Sequence, residues 1–167
     1  MHYLGHGREL WLIAGTFLAT TCAVQSARAN EPPADLCSLL PASEVSKTLG
    51  RAYDSPQESV APRPYRNTAL GTDCNYRSSD GSSLLFRAYV DPSPTAAADL
   101  FDRLAKFFGA PTPIAGLGDQ AYLDSEHGLH VRKGKVRFFI KLDSRGVVTQ
   151  VREKQLEDLA GRVAAQL

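Results

Sequence analysis

The chain has 167 residues, of which 19 are Lys or Arg and 18 are Asp or Glu, so its formal net charge is +1. These counts fit one globular domain, and they exclude a collagen, a long coiled coil and a disulfide-dense miniprotein. The near balance of charge also excludes a protein that binds nucleic acid through bulk electrostatics.

Residues 1–29 have the pattern of a secretory signal peptide. A short segment that contains Arg8 precedes an apolar run over residues 10–24. Ala27-Arg28-Ala29 then provides the small residues that a signal peptidase requires, so we expect cleavage before Asn30. The protein is therefore predicted to be periplasmic or secreted.

Two alternatives for this segment stay open, namely an uncleaved membrane anchor and a lipidated Cys22. The apolar run is shorter than the roughly 20 residues that a helix needs to span a bilayer, which argues against the anchor. The residues before Cys22 lack the large aliphatic side chain that usually lies three positions before a lipidated cysteine. Membrane association is therefore not expected after cleavage, which leaves a short linker over 30–34 and a single domain over 35–167.

Cys37 and Cys74 are the only cysteines after the predicted cleavage site, so the mature chain allows one intramolecular pairing. Exported proteins meet an oxidising compartment, which favours a disulfide bond. The alternative is a redox-active or metal-binding pair. It is disfavoured because the sequence has no C-x-x-C and no histidine beside either cysteine.

The domain is predicted to begin with two helical segments and an irregular stretch. Residues 35–40 form a short helical segment, and a second helix over 41–49 ends at Gly50, a residue typical of left-handed C-caps. Residues 51–71 contain three prolines. This composition predicts an irregular edge strand or a long loop.

The middle of the domain carries hairpin and helix signals. Residues 72–76 and 83–90 alternate in polarity as strands do, and Asp80-Gly81 between them is a strong turn signal. Ser93-Pro94 then provides an N-cap and a proline at the first helical position. The helix that follows is predicted to end at Gly109.

Three strands and a helix complete the chain. A turn-rich connection over 111–119 leads to predicted strands at 120–124, 128–133 and 136–143 and to a C-terminal helix from about Thr149. Strand pairs are joined like hairpins, without a regular β-α-β alternation. This order predicts an α+β domain in which helices pack on one face of an antiparallel β-sheet.

Short motifs along the domain resemble those of a known family. They are Cys37-Ser38-Leu39-Leu40, Glu44-Val45, Leu49-Gly50, Cys74-Asn75-Tyr76, the loop over 113–122, and Leu129-His130-Val131-Arg132-Lys133-Gly134. The family consists of small exported bacterial proteins of unknown function, whose best-known members are actinobacterial lipoproteins. The chain is also similar to the extracellular sensor domain of a mycobacterial serine/threonine kinase.

This resemblance implies a PsbP-like α+β fold, a Cys37–Cys74 disulfide and no enzyme activity. The lipoprotein members carry a lipobox, to which the residues before Cys22 do not conform. The resemblance therefore does not extend to membrane attachment.

Other patterns suggest chemistry that their contexts do not support. Gly116-x-Gly118-x-x-Ala121 loosely matches a dinucleotide-binding motif, but prolines precede it and a strand-like run follows, so no cofactor is predicted. Acidic and histidine side chains over 124–130 could suggest a metal site, but His127 and His130 have opposite parity on a strand, so none is predicted. The sequence has no G-x-S-x-G or H-E-x-x-H motif, and no catalytic residue is predicted.

One hairpin carries an excess of positive charge, with five cations and no acid over residues 132–141. Strand parity predicts one outward face for five candidate binding residues, which are His130, Arg132, Arg137, Phe139 and Lys141. Such a face could bind an anionic glycan, a lipid headgroup or an acidic patch on another envelope protein. The alternative is a solvated face whose charges are neutralised by acids from another element.

Three functional hypotheses follow. The first is a non-enzymatic envelope protein that acts as a binding or interaction module, which would show an uncovered aromatic or charged sheet face. The second is a ligand-sensing or carrier domain with an apolar pocket of a few hundred Å³ between the sheet and residues 51–71. The third, a hydrolase, would show a nucleophile and a base within hydrogen-bond reach of each other in a cleft.

Overall fold

A computed structural model describes residues 32–64, 68–109, 111–143 and 150–167. The predicted signal peptide, its cleavage site and Cys22 lie outside the described residues, as do the first two residues of the predicted linker. Within the described ranges, no helix has both the length and the apolar character needed to cross a membrane.

Seven strands form one antiparallel sheet, and three α-helices and a 3-10 turn accompany it. The strands are β1 (Gln57–Ala61), β2 (Gly71–Arg77), β3 (Ser83–Val90), β4 (Thr112–Pro113), β5 (Gln120–Leu123), β6 (Leu129–Lys133) and β7 (Val136–Asp143). The helices are α1 (Ala42–Leu49), α2 (Pro94–Phe107) and α3 (Gln150–Ala164), preceded by the 3-10 turn Leu36–Leu39. The order of strands across the sheet is β1-β2-β3-β7-β6-β5-β4, so the predicted α+β class and antiparallel sheet are confirmed.

Local signals place the first elements close to where the sequence predicts them. The Asp35 carboxylate accepts a 2.9 Å hydrogen bond from the Cys37 amide and so caps the 3-10 turn. Pro41 is the N-cap of α1 rather than its first helical residue. Gly50 ends this helix with a φ of 68°, a left-handed conformation that glycine adopts without the steric cost of a Cβ atom.

The main hydrophobic core lies on one face of the sheet, which we call the core face. Leu84, Phe86, Phe138 and Ile140 project from this face and are at most 2% exposed. They belong to one cluster with buried side chains of α1 and α3, two helices that also contact each other. Alternate positions on the central strands therefore supply the apolar surface that these helices bury.

The predicted disulfide is confirmed and joins the 3-10 turn to the sheet. Cys37 and Cys74 are bonded, with their Cα atoms 5.7 Å apart. Nearby, the buried Tyr76 hydroxyl donates a hydrogen bond to the Leu40 carbonyl oxygen. The N-terminal part of the domain is thus tied to the core face by one covalent and one polar contact.

Helix α2 differs from the predicted arrangement, because it lies on the opposite face of the sheet. We call this the pocket face; it carries Tyr122, His130 and Phe139, whose positions alternate with those of the core face. The Phe101 ring centroid of α2 lies 4.9 Å from that of Tyr122, and that of Phe108 lies 5.0 Å from that of His130. Helices therefore cover both faces, since the pocket face also carries aromatic side chains that gain from burial.

Candidate ligand-binding pocket

A cavity of about 240 Å³ lies on the pocket face. Its floor is formed by β3, β6 and β7, one wall by α2, and the other by the segment 62–64 that follows β1. The position agrees with the pocket that the carrier hypothesis places between the sheet and residues 51–71. A concave space bounded by a sheet, a helix and a connecting segment is a usual form of small-molecule site.

One row of side chains crosses the sheet beneath the cavity. Its members, in order from β2 to β5, are Asp73, Arg87, Phe139, His130 and Tyr122. Each residue is the direct cross-strand neighbour of the next, so all five side chains share the pocket face. The row places an ion pair at the β2–β3 end and stacked rings at the β5–β6 end.

The His130 imidazole is held by three aromatic rings and one carboxylate. The centroids of the Phe108, Tyr122 and Phe139 rings lie 5.0, 4.6 and 4.6 Å from its own. Its Nε2 lies 2.9 Å from an Asp124 carboxylate oxygen. This contact leaves Nδ1 as the ring nitrogen that does not bond to Asp124.

Asp124 is buried, yet its contacts favour the ionised form. Burial by itself would raise the pKa of this carboxyl, but hydrogen bonds from His130 and from the Gly128 and Glu126 amides outweigh burial and lower it below its usual value. The two amide bonds measure 2.8 and 2.9 Å. The carboxylate therefore serves as a fixed acceptor that orients the imidazole.

Tyr122 contributes a second buried polar group to the pocket face. Burial raises the pKa of its phenol well above the usual value. The Tyr122 hydroxyl has no hydrogen-bond partner among the described residues. The phenol therefore stays protonated over the physiological range and packs as an aromatic ring against His130.

Two arginines that line the cavity are each paired with a carboxylate that lies outside the lining. Arg87 contacts Asp73 through two hydrogen bonds of 2.6 and 2.8 Å. Arg137 contacts Asp91 through bonds of 2.5 and 3.1 Å, and the Arg137 side chain is only 4% exposed. Such two-point contacts fix the plane of each guanidinium. The two aspartates do not line the cavity.

Tyr89 connects the arginines to the segment over the cavity. The guanidinium carbon of Arg137 lies 4.9 Å from the centroid of the Tyr89 ring, within cation–π range. The Tyr89 hydroxyl donates a 2.7 Å hydrogen bond to the Pro62 carbonyl oxygen. This bond holds one wall of the cavity against the sheet.

The structure brings together four of the five candidate binding residues. His130, Arg137, Phe139 and Lys141 line the cavity, whereas Arg132 does not. Arg132 shares their sheet face but bonds to Gln120 and Asp119 at 2.8 and 3.0 Å. Whether the four bind a ligand stays a prediction.

Acids from other elements neutralise much of the cationic hairpin. Asp119 pairs with Arg132 at 3.0 Å and with Lys133 at 3.3 Å. Lys141 lies 2.5 Å from Glu126, and Arg137 is paired with Asp91 as described. The contacts therefore agree with the alternative that the sequence left open, a face whose charges are balanced locally.

Several lining residues were missed by sequence reasoning. They are Arg87 and Tyr89 of β3 and Phe101, Leu104 and Phe108 at α2. One signal for the first two was available, since an arginine and a tyrosine alternate with core residues in a central strand. For α2, the sequence shows the apolar stripe of the helix but does not show which face of the sheet this stripe covers.

The lining of the cavity combines titratable groups with aromatic rings. Asp124 and His130 form an acid–base pair, but no serine, threonine or cysteine occurs among the described residues that line the cavity. Elsewhere, Asp35, Cys37 and Glu58 place potential metal-ligand atoms within 4.8 Å of one another. Cys37 has no thiolate to offer a metal because its sulfur is in the disulfide.

No protein-family model, curated protein or solved structure matches this chain. The resemblance to actinobacterial lipoproteins and to a kinase sensor domain, with the PsbP-like fold that it implies, therefore stays a prediction. The geometry of the pocket is the remaining guide to function.

Proposed function

We propose that this protein is a non-enzymatic, exported binding module that holds a small, largely apolar molecule in the cavity beneath α2. The observation that carries the proposal is the cavity itself, about 240 Å³ between a sheet face, a helix and the segment 62–64. Of the three hypotheses from the sequence, this geometry favours the ligand-sensing or carrier domain.

The size of the cavity limits the ligand. Apolar cavities of about 150 Å³ accept benzene, and drug-sized ligands occupy about 300–1,000 Å³. A volume of about 240 Å³ lies between these values. We therefore expect a ligand with one or two rings, or a short alkyl chain, and not a glycan or a whole diacyl lipid.

The walls indicate a mostly apolar ligand. Phe101, Leu104 and Phe108 line the cavity from α2, and Phe139 lines it from the sheet. Burial of apolar ligand surface contributes about 25 cal/mol per Å². Fixed polar groups beside such walls add orientation and specificity.

Two further observations support the non-enzymatic and exported parts of the proposal. The described lining residues offer an acid–base pair without a serine, threonine or cysteine, and the one hydroxyl among them, that of Tyr89, is bonded to the Pro62 carbonyl oxygen, which disfavours the hydrolase hypothesis. The Cys37–Cys74 disulfide is typical of proteins in oxidising compartments, which supports export.

An interaction module that uses an open cationic face is less well supported. That hypothesis expects an uncovered face, whereas α2 and the segment 62–64 cover part of the pocket face. The local ion pairs also reduce the field that would attract an anionic glycan or an acidic protein patch.

Filling the cavity tests the proposal. The probe is indole, a neutral bicyclic molecule, followed by amide chemical shifts in NMR titrations. We expect shifts at β3, β7 and α2, and about a tenfold loss of affinity, or ~1.4 kcal/mol, for Leu104→Trp because the larger side chain occupies the cavity. Phe107→Trp is the matched control, since Phe107 also lies on α2 but is 77% exposed. Equal affinity of a folded Leu104→Trp variant and wild type would reject the proposal.

A further inference from the structure

We propose that the ligand is a small monocarboxylic acid, with its carboxylate on Arg87 and Arg137 and its apolar body between α2 and Phe139. This inference rests on the proposed function, because it names the class of molecule that the same cavity takes. Three observations carry it, namely the arrangement of the two ion pairs, the balance of charges in the lining and the occupied aromatic cage.

The two arginines present donors to the cavity while their acids stay behind them. Arg87 and Arg137 line the cavity, whereas Asp73 and Asp91 do not. Each ion pair uses an Nε–H and one Nη–H of its arginine. A guanidinium has five N–H donors and no acceptor, so three donors of each arginine are outside the ion pair. The ligand group that matches such donors is an oxygen acceptor, best of all a carboxylate.

Cationic side chains outnumber carboxylates among the described residues that line the cavity. Among the described lining residues the cationic side chains are Arg63, Arg87, Arg137 and Lys141, and the carboxylates are those of Asp124 and Glu126. Both carboxylates have partners, since Asp124 bonds to His130 and Glu126 lies 2.5 Å from Lys141. A ligand anion would therefore meet the remaining N–H donors of Arg87 and Arg137, whose charges Asp73 and Asp91 balance from outside the lining.

The aromatic cage of the site is already occupied by the protein. Rings of Phe108, Tyr122 and Phe139 surround the His130 imidazole, with centroids within 5.0 Å of its own. Aromatic cages are the sites that bind quaternary ammonium ligands. Because His130 fills this one, the rings are not free to surround a ligand cation.

The register of the sheet gives the ligand a direction. Phe139 lies between Arg87 of β3 and His130 of β6, each of which is its direct cross-strand neighbour. The Phe108 ring at the end of α2 covers His130. A carboxylate on the β3 side therefore leaves the body of the ligand over Phe139, toward α2. Both guanidiniums are fixed before binding, so little conformational entropy is lost when the carboxylate contacts them.

A pair of probes that differ only in the charged group tests the inference. They are naphthalene-2-carboxylate and 2-naphthalenemethanol, each titrated against the full chain by NMR. We expect the carboxylate to bind at least about tenfold more tightly than the alcohol, because only the carboxylate forms charge-assisted hydrogen bonds.

A double substitution then tests whether Arg87 is responsible for the preference for the carboxylate. Arg87→Gln with Asp73→Asn removes both charges of one ion pair, since removing Arg87 alone would leave an uncompensated partly buried carboxylate. We expect this double variant to lose most of the preference for the carboxylate and to keep its affinity for the alcohol. Arg132→Gln with Asp119→Asn is the matched control, an ion pair whose arginine lies on the same sheet face but does not line the cavity.

The outcomes separate the two proposals. Equal affinities of wild type for the two probes would overturn the carboxylate inference and leave the binding proposal standing. A preference that persists in the folded Arg87/Asp73 double variant, or that is lost equally in the Arg132/Asp119 control, would also overturn the inference. If neither probe nor indole shifts the amides around the cavity, the proposed function itself fails.

Discussion

Gly128 shows how a single position shapes the pocket. A Cβ atom at this residue would lie 2.3 Å from Cε2 of Phe139 and 2.8 Å from a carboxylate oxygen of Asp124. The backbone must therefore approach the Phe139 ring closely at the point where the β5–β6 turn enters β6. The missing side chain leaves room for the ring that forms the floor of the cavity and for the carboxylate that holds His130.

We expect Gly128→Ala to destabilise the protein by about 1–3 kcal/mol, the usual cost of overpacking a well-filled site. Urea unfolding followed by circular dichroism measures this change. The control is Gly161→Ala in α3, where the nearest side-chain atom to a new Cβ is 3.9 Å away. Because alanine is the better helix former, this change should stabilise by about 0.5–1 kcal/mol. Changes in the free energy of unfolding that have the same sign at both positions would contradict the close contacts described for Gly128.

At the scale of elements, α2 decides whether the pocket exists. It leaves β3 in the middle of the sheet and returns the chain to β4 at the edge, across the pocket face. Its residues Leu100 and Phe101 are buried, and Phe101, Leu104 and the C-cap residue Phe108 line the cavity. The middle of the helix packs against the sheet, and its C-terminal part forms the wall of the site.

The N-cap of α2 provides a test of this element. The Ser93 hydroxyl oxygen accepts a 3.1 Å hydrogen bond from the Ala96 amide, which would otherwise lack a helical partner. We expect Ser93→Ala to lower the free energy of unfolding by about 1 kcal/mol. Ser93→Asp should retain most of the stability, because aspartate caps helices as well as serine does. Chemical denaturation compares the three proteins, and equal losses in both variants would argue against the cap.

The whole molecule has two packed layers, one on each face of the sheet. The core face carries the large apolar cluster beneath α1 and α3, and it also carries the Cys37–Cys74 disulfide. The pocket face combines rings with ion pairs beneath α2. Stability is therefore concentrated on the face opposite the proposed site, which leaves the pocket face free to carry polar groups in fixed positions.

Removal of the disulfide by substitution tests this division. The two cysteines are separated by 37 positions, and closing a loop of this length removes about 4 kcal/mol of chain entropy from the unfolded state on the loop-entropy model. We expect the Cys37→Ser/Cys74→Ser variant to have a melting temperature well below that of wild type.

Below its transition, this variant should still bind indole with wild-type affinity, since Cys74 projects from the core face. An unchanged melting temperature would contradict the stabilising role of the bond. Loss of indole binding in the folded variant would contradict the independence of the two faces.

Local signals in the sequence were enough to predict the order and nature of nearly every element. Gly50, the Asp80-Gly81 turn and the Ser93 cap act through their own backbone and a few neighbours, so their effects can be recognised from a short segment. Strand alternation likewise predicted that His130, Arg137, Phe139 and Lys141 share a face, because parity depends only on spacing within a strand.

Tertiary structure decided which residues from other elements contact that face. The placement of β3 beside β7 brings Arg87 next to Phe139, which lies 52 positions later in the chain, and α2 then covers the row. The acids that neutralise the cations, such as Asp91 for Arg137, come from distant parts of the chain. Contacts of this kind depend on sheet order and on the side to which a helix crosses. Sheet order and helix placement depend on contacts between distant parts of the chain, which no short stretch of residues encodes on its own.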